Sequence, residues 1–124
     1  SAALCALGLG LDCDDFEEEI VPVIADEDIT GAFLVKRGRV AGIHQTVIAT
    51  DGGQERVRLE LTIALGADSP ADRIEIEAES TVSMVIPGGI AGDRATANLV
   101  VNAAPRLTAA EPGLLTVLEL PAGR

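Results

Sequence analysis

One side chain in this sequence stands out as a candidate for acid–base or positioning chemistry. His44 is the single histidine, and it lies within the segment AGIHQT at residues 41–46. An imidazole titrates near neutral pH, so it can hydrogen-bond a substrate or transfer a proton. Gly42 beside it removes a side chain, which predicts that a ligand or another domain comes close there. A satisfied histidine inside a sheet is the alternative interpretation.

The sequence shows no other recognisable catalytic or metal-binding set, and we predict no metal site. Cys5 and Cys13 have neither metal-ligand spacing nor the context of a nucleophile. The glycines Gly88, Gly89 and Gly92 lie between a predicted strand and a predicted helix, where backbone N–H groups could receive an anion or a substrate carbonyl. They do not form the Gly-x-Gly-x-x-Gly fingerprint of a dinucleotide-binding turn. A plain strand-to-helix turn is the simpler interpretation.

Composition excludes several classes of function. The chain has 124 residues, of which 48% are hydrophobic and 23% charged, which is typical of one folded, soluble domain. A formal net charge of −11 repels nucleic-acid phosphates and anionic membranes, so neither is expected as a partner. Phe16 and Phe33 are the only aromatic residues, too few for a base-stacking platform. No secretory signal precedes the cysteines, which indicates reduced thiols and a cytoplasmic location.

The elements that must position His44 follow from the hydrophobic periodicity. The clearest is a hairpin, residues 39–50 and 54–66, joined by a tight turn at Asp51-Gly52-Gly53. Its second arm alternates apolar residues such as Val57 and Leu59 with polar ones such as Arg58, as in a sheet with one dry face. The other predicted elements are a first helix over residues 2–9 that continues upstream, strands at 16–25, 29–36, 74–79 and 81–86, a main helix with Asp93 as its N-cap, and an extended apolar tail at 114–120.

These elements predict an α+β fold. We expect a mainly antiparallel, mixed sheet of about six strands with the one main helix packed on one face, because so many successive strands leave no room for βαβ winding. Both faces of the strand around His44 carry apolar residues, with Ile43 and Val47 on one and Val40 and Ile48 on the other. A strand that is apolar on both sides needs two covers, which favours association with a second copy.

Four segments resemble a known family in their order and spacing. They are GRVAGIHQ at 38–45, VIPGGIAGDRATA at 85–97, VVNAAPR at 100–106, and PGLLT through ELP at 112–121. They resemble the C-terminal half of the 2,4-diaminopentanoate dehydrogenase family, which is related to dihydrodipicolinate reductases and includes native amine dehydrogenases. The resemblance runs from about residue 7 to residue 121. Ala91 stands where the family pattern has a histidine, so a role for that imidazole would be lost or moved. The paired-histidine, lysine-bearing motif of the dihydrodipicolinate reductases is absent.

The resemblance implies a two-domain enzyme with a Rossmann domain that is absent from this chain and holds NAD or NADP. Residues 1–124 would then be one C-terminal domain for substrate binding and homo-oligomer formation, inactive alone. The implied reaction is the reversible oxidation of a primary amine or amino acid to an imine or ketone, with the catalytic acid or base coming from the missing domain. Substrate contacts are expected from His44, Thr46, Ser83, Gly88 and Gly89. A non-enzymatic dimerisation or ligand-binding module is the alternative.

Overall fold

The computed structural model describes residues 1–31 and 33–120, and these residues form two helices and seven strands. In chain order they are α1 (Ala2–Leu9), β1 (Asp15–Ile24), β2 (Ile29–Thr30), β3 (Leu34–Val35), β4 (Val40–Asp51), β5 (Gln54–Ala64), β6 (Ala71–Ile76), β7 (Val82–Pro87) and α2 (Gly92–Leu107). The chain divides into two compact units, one spanning Ser1–Asp68 and the other beginning at Ser69. Each unit is described by itself.

A three-stranded antiparallel sheet in the order β1-β4-β5 dominates the first unit. The predicted hairpin is confirmed as β4–β5, and its turn glycines have positive φ angles of 55° at Gly52 and 80° at Gly53, which residues with a Cβ rarely adopt. The pairing contains one irregularity: Thr50 pairs with Glu55, whereas Ala49 pairs with Val57. Arg56 is therefore an extra residue in β5, a β-bulge.

Helix α1 covers part of one face of this sheet. Its Ala2 and Ala6 are buried against Ala49 of β4 and Val57 of β5, and Ala49 is fully buried at 0% exposure. Small side chains at the contact allow the helix and the sheet to approach closely. The helix ends at Leu9, as predicted, and its C-cap Gly10 has a left-handed φ of 68°.

The segment that connects β1 to β4 contains the short antiparallel pair β2–β3. The structure forms these two short strands where the sequence predicted one strand over residues 29–36; Ala32 of that segment lies outside the described residues. Asp28 links the two ends of this segment, because its carboxylate accepts hydrogen bonds from Lys36 Nζ at 2.7 Å and from Arg37 N at 2.9 Å. Both contacts hold the carboxylate in its charged form, and they lower the pKa of Asp28.

The second unit contains the antiparallel hairpin β6–β7 and helix α2. The helix begins earlier than predicted: Ala91 is its N-cap, and Asp93 lies in the first turn, where its carboxylate still faces the positive end of the helix dipole. Pro105 lies inside the helix. The predicted extended tail contains a turn at residues 117–119, where Glu119 Oε2 accepts hydrogen bonds from the Thr116 backbone N–H at 2.8 Å and from its hydroxyl at 3.0 Å.

The α+β class is confirmed, but the prediction of one sheet with about six strands is wrong. The described strands form one three-stranded and two two-stranded sheets. Positive φ angles at Gly66 (76°) and Ser69 (48°), followed by Pro70, redirect the chain between β5 and β6. Within the first unit, α1 contacts β4 and β5. Within the described residues, no helix is long and apolar enough to cross a membrane.

Candidate functional site

The three-stranded sheet presents His44 on the face opposite to α1, which we call the polar face. The side that carries α1 is the helix face. Because side chains alternate along a strand, the pairing register assigns each residue to a face. The three central cross-strand rows of the polar face are Val21–His44–Thr62, Glu19–Thr46–Glu60 and Glu17–Ile48–Arg58.

The His44 ring lies between two threonine hydroxyls. Its Nδ1 is 2.7 Å from Oγ1 of Thr62, which pairs with it across the strands. Its Nε2 is 3.4 Å from Oγ1 of Thr46, two residues along β4 on the same face. A threonine hydroxyl can donate or accept, so either ring nitrogen can carry a proton without losing its partner. His44 is half-buried, and the ring is part of a polar network instead of an apolar core.

Gly42 has a structural reason for lacking a side chain. A Cβ at this position would lie 2.1 Å from the carbonyl oxygen of Ile63 and 2.4 Å from Cα of Ala64. The close approach predicted at Gly42 is therefore made by the backbone of β5. Gly42 is therefore no evidence that a ligand approaches this part of the strand. A functional role for His44 has to be argued from the hydrogen bonds and the surroundings of its ring.

The polar face has an excess of negative charge around this network. In the pairing register, Glu19 and Glu60 flank Thr46 on its two sides, and Glu17 lies in the next row. The one cation in these rows, Arg58, is already engaged, with its Nη2 2.6 Å from Glu55 Oε2 and its Nη1 3.6 Å from Glu60. The acidic side chains make a positively charged ligand favourable here and a phosphate unfavourable.

The ion pair between Arg58 and Glu55, beside the polar face, changes the pKa of both residues. The hydrogen bonds that Arg58 donates stabilise the charged carboxylate and lower the pKa of Glu55 below its ordinary value of 4.5. Glu55 in turn raises the pKa of Arg58, which therefore stays fully protonated. Arg58 consequently offers little charge to a ligand, and the acidic character of the polar face persists.

The glycine turn after β7 uses its backbone donors internally. Gly88 N donates to Pro70 O at 2.7 Å, Gly89 N donates to Ile86 O at 3.1 Å, and Ile90 N donates to Asp72 Oδ2 at 2.7 Å. Three consecutive N–H groups are thus already paired, which supports the plain strand-to-helix turn over an anion cradle. No local sequence pattern indicates the role of Asp72, because that role depends on the β6–β7 register.

The structure brings together some of the predicted site residues. His44 and Thr46 form one network in the first unit. Ser83 is exposed on β7 opposite Glu75, and Gly88 and Gly89 follow β7, all within the second unit. Sequence reasoning missed Thr62, although its position opposite His44 makes it the nearest polar partner of the ring.

Two features of the predicted chemistry concern cysteines and metals. Cys5 and Cys13 are free thiols, with Cys13 half-buried beside the small core under α1. Over residues 1–31 and 33–120, His, Cys, Asp and Glu side chains form no group of three or more that could hold a metal ion.

The model of the 2,4-diaminopentanoate dehydrogenase C-terminal domain matches residues 1–124, the whole chain. This confirms the resemblance stated from the four sequence segments, the last of which ends at Pro121, outside the described residues. No curated protein matches the chain.

A dehydrogenase implies a nicotinamide cofactor, and the described residues do not fit one. A dinucleotide needs a glycine-rich turn whose free N–H groups receive the pyrophosphate at a helix N-terminus. The turn at Gly88 and Gly89 has its donors occupied and places the Asp72 carboxylate where it would repel a phosphate.

Proposed function

Because the chain belongs to the family of 2,4-diaminopentanoate dehydrogenase C-terminal domains, we propose that it is the substrate-binding domain of a dehydrogenase acting on a primary amine or an amino acid. The enzyme oxidises the amine to an imine or ketone and uses NAD or NADP bound outside residues 1–124. The substrate after which the family is named, 2,4-diaminopentanoate, carries two amino groups, the functional group that the polar face is suited to bind.

The observation that carries this proposal is the hydrogen-bonded imidazole on an acidic sheet face. An alkylammonium group has three N–H donors and one positive charge. Nε2 of His44 and Oγ1 of Thr46 supply neighbouring acceptors, because their mutual distance of 3.4 Å is too long for a strong hydrogen bond between them. Glu19 and Glu60, on either side of Thr46 in the register, supply the compensating negative field.

His44 acts in this proposal by positioning the nitrogen of the substrate. A hydrogen bond at Nε2 fixes the amine and restricts rotation about the bond to the reacting carbon, and orientation of this kind lowers the barrier by making the reactive geometry more frequent. The imidazole can also take a proton from the ammonium at Nε2, which frees the nitrogen lone pair that the imine product requires. Because positioning requires only the hydrogen bond at Nε2, it is the main role that we propose for His44.

Replacing His44 in the full-length enzyme that contains this chain tests the proposal. His44→Ala and His44→Asn are expected to lower kcat/KM for the amine by roughly 10- to 1,000-fold, about 1.4 to 4 kcal/mol of transition-state stabilisation. The affinity for NAD or NADP should stay constant, because the cofactor is bound elsewhere. Steady-state kinetics with each substrate varied in turn separate the two effects.

Gln45→Ala is the matched control, since Gln45 is the neighbour of His44 on the helix face and bonds to Glu18. It should leave kcat/KM within a few-fold of the unmodified enzyme. Thermal unfolding by circular dichroism, run on every variant, identifies one that has lost its fold. A folded His44→Ala enzyme with unchanged kinetics would remove His44 from the substrate site and favour the alternative of a non-enzymatic module.

A further inference from the structure

The two hydrogen bonds of the His44 ring are unequal. Thr62 Oγ1 is 2.7 Å from Nδ1, within the range of a strong hydrogen bond. Thr46 Oγ1 is 3.4 Å from Nε2, at the outer limit for any hydrogen bond. The ring is therefore held from its Nδ1 side, while Nε2 is weakly engaged and free to exchange its partner.

The bulge in β5 places Thr62 opposite the ring. At the turn, Asp51 pairs with Gln54 and Thr50 pairs with Glu55; the same register continued along the hairpin would set Leu61 opposite His44. The extra residue Arg56 moves the register by one, so that Thr62 pairs with His44 instead. A shift of one residue exchanges the two faces of a strand, and bulges of this kind re-aim side chains beside functional sites.

We propose that Thr62 is a positioning residue that fixes the orientation and the tautomer of the His44 ring. In this assignment Nδ1–H donates to Oγ1 of Thr62, and Nε2 keeps its lone pair. The second hydrogen bond of a histidine commonly sets which nitrogen is protonated. The β-branched side chain of Thr62 also has few χ1 rotamers, so its hydroxyl is held at a defined position.

This tautomer matters if Nε2 accepts a hydrogen bond from an ammonium group, so the inference rests on the proposed function. The opposite tautomer places an N–H at Nε2, which faces the N–H donors of the substrate and cannot accept from them. Without the Thr62 hydroxyl, the ring loses the partner that favours the Nδ1–H form. The effect on catalysis would then come from a histidine that is present but presents the wrong nitrogen.

The tautomer can be read directly, because His44 is the one histidine in the sequence and its imidazole resonances need no assignment among several. We would record long-range ¹H–¹⁵N correlation spectra of the ¹⁵N-labelled chain in alkaline buffer, where a neutral imidazole shows its tautomers. The unmodified protein should show Nδ1 protonated and Nε2 unprotonated. Thr62→Val, which keeps the shape and removes the hydroxyl, should shift the population toward Nε2–H, and Thr62→Ser should restore it.

Thr50→Val is the control for loss of a hydroxyl in the same sheet, and its spectrum should match that of the unmodified chain. An unmodified protein with the Nε2–H tautomer, or a Thr62→Val spectrum identical to it, would overturn the assignment. A Thr62→Val chain that does not fold is replaced by Thr62→Ala, with Thr62→Ser again as the variant that rescues.

Kinetics of the full-length enzyme separate this inference from the proposed function. Thr62→Val should lower kcat/KM by about tenfold, with Thr62→Ser close to the unmodified value. If His44→Asn lowers kcat/KM and Thr62→Val does not, the role of His44 stands and that of Thr62 is refuted. If His44→Asn has no effect, the proposed function is refuted, and the spectra alone decide whether Thr62 sets the tautomer.

Discussion

The two faces of the three-stranded sheet are built from the same strands in different ways. On the helix face, Ala49 and Val57 are buried against α1, with 0% and 8% of their surfaces exposed. On the polar face, His44 is held by threonine hydroxyls, with carboxylates around it. Apolar burial stabilises the helix face, whereas the polar face is characterised by hydrogen bonds and charged side chains. Because side chains alternate along each strand, the same three strands can carry an apolar face and a polar face.

The backbone of β5 lies against Gly42 of β4, in the space that a Cβ at this position would need. Gly42→Ala should give the largest loss of stability among the changes considered, about 3 kcal/mol or more, because the new Cβ would overlap backbone atoms of Ile63 and Ala64. Backbone cannot move aside as a flexible side chain can. Urea unfolding of the chain followed by circular dichroism measures the loss.

Gly31→Ala is the control for this change, because a Cβ at Gly31 meets no atom within 4 Å. Its free energy of unfolding should stay close to that of the unmodified chain. A stable Gly42→Ala protein would contradict the explanation by strand packing. It would restore the interpretation that Gly42 makes room for a ligand, most directly if the full-length variant had also lost activity.

Substitution of Val57 measures how much its contact with α1 contributes to the free energy of unfolding. Val57→Ala removes two buried methyl groups and should cost about 2 kcal/mol, counting transfer and the cavity left behind. Leu61→Ala, on the same face and strand, removes a larger group that is 47% exposed and should cost less than half as much. The comparison is made by urea unfolding. Equal losses would indicate that Leu61 is covered in solution by a surface other than α1.

Local patterns in the sequence predicted much of the first unit. The Asp51-Gly52-Gly53 turn and the alternation of Val57, Leu59 and their polar neighbours were sufficient for the hairpin and its faces. The apolar periodicity was sufficient for a first helix over residues 2–9. These features depend on residues close together in the chain, where turn chemistry and side-chain period act directly.

The missed features depend on contacts between residues far apart in the sequence. Counting from the turn places Leu61 opposite His44, and no local signal reveals the bulge at Arg56 that brings Thr62 there. The division into small sheets was missed because strand periodicity does not determine which strands pair. At Gly42, the sequence indicated a close approach but could not show that β5 makes it.

The smallest expected effect concerns the Arg58–Glu55 ion pair beside the polar face. Arg58 lowers the pKa of Glu55 in the folded state below the ordinary value of 4.5. A carboxyl with a depressed folded pKa contributes stability above its unfolded pKa and loses it as pH falls through the folded pKa. Arg58→Gln should therefore lower the urea midpoint slightly at pH 7, and its curve should converge with that of the unmodified chain well below pH 4.5.

Both members of the pair are exposed, so salt should screen the interaction and reduce the difference at pH 7. Arg56→Gln is the matched control: it removes the same charge two residues earlier, from the bulge residue, which is not part of the Glu55 ion pair. Its midpoint should depend on pH as that of the unmodified chain does. If the Arg58→Gln difference were the same at pH 7 and pH 3 and in high salt, the contribution of Arg58 would come from packing of its aliphatic part. The polar face would then be stabilised by contacts of the same kind as the helix face.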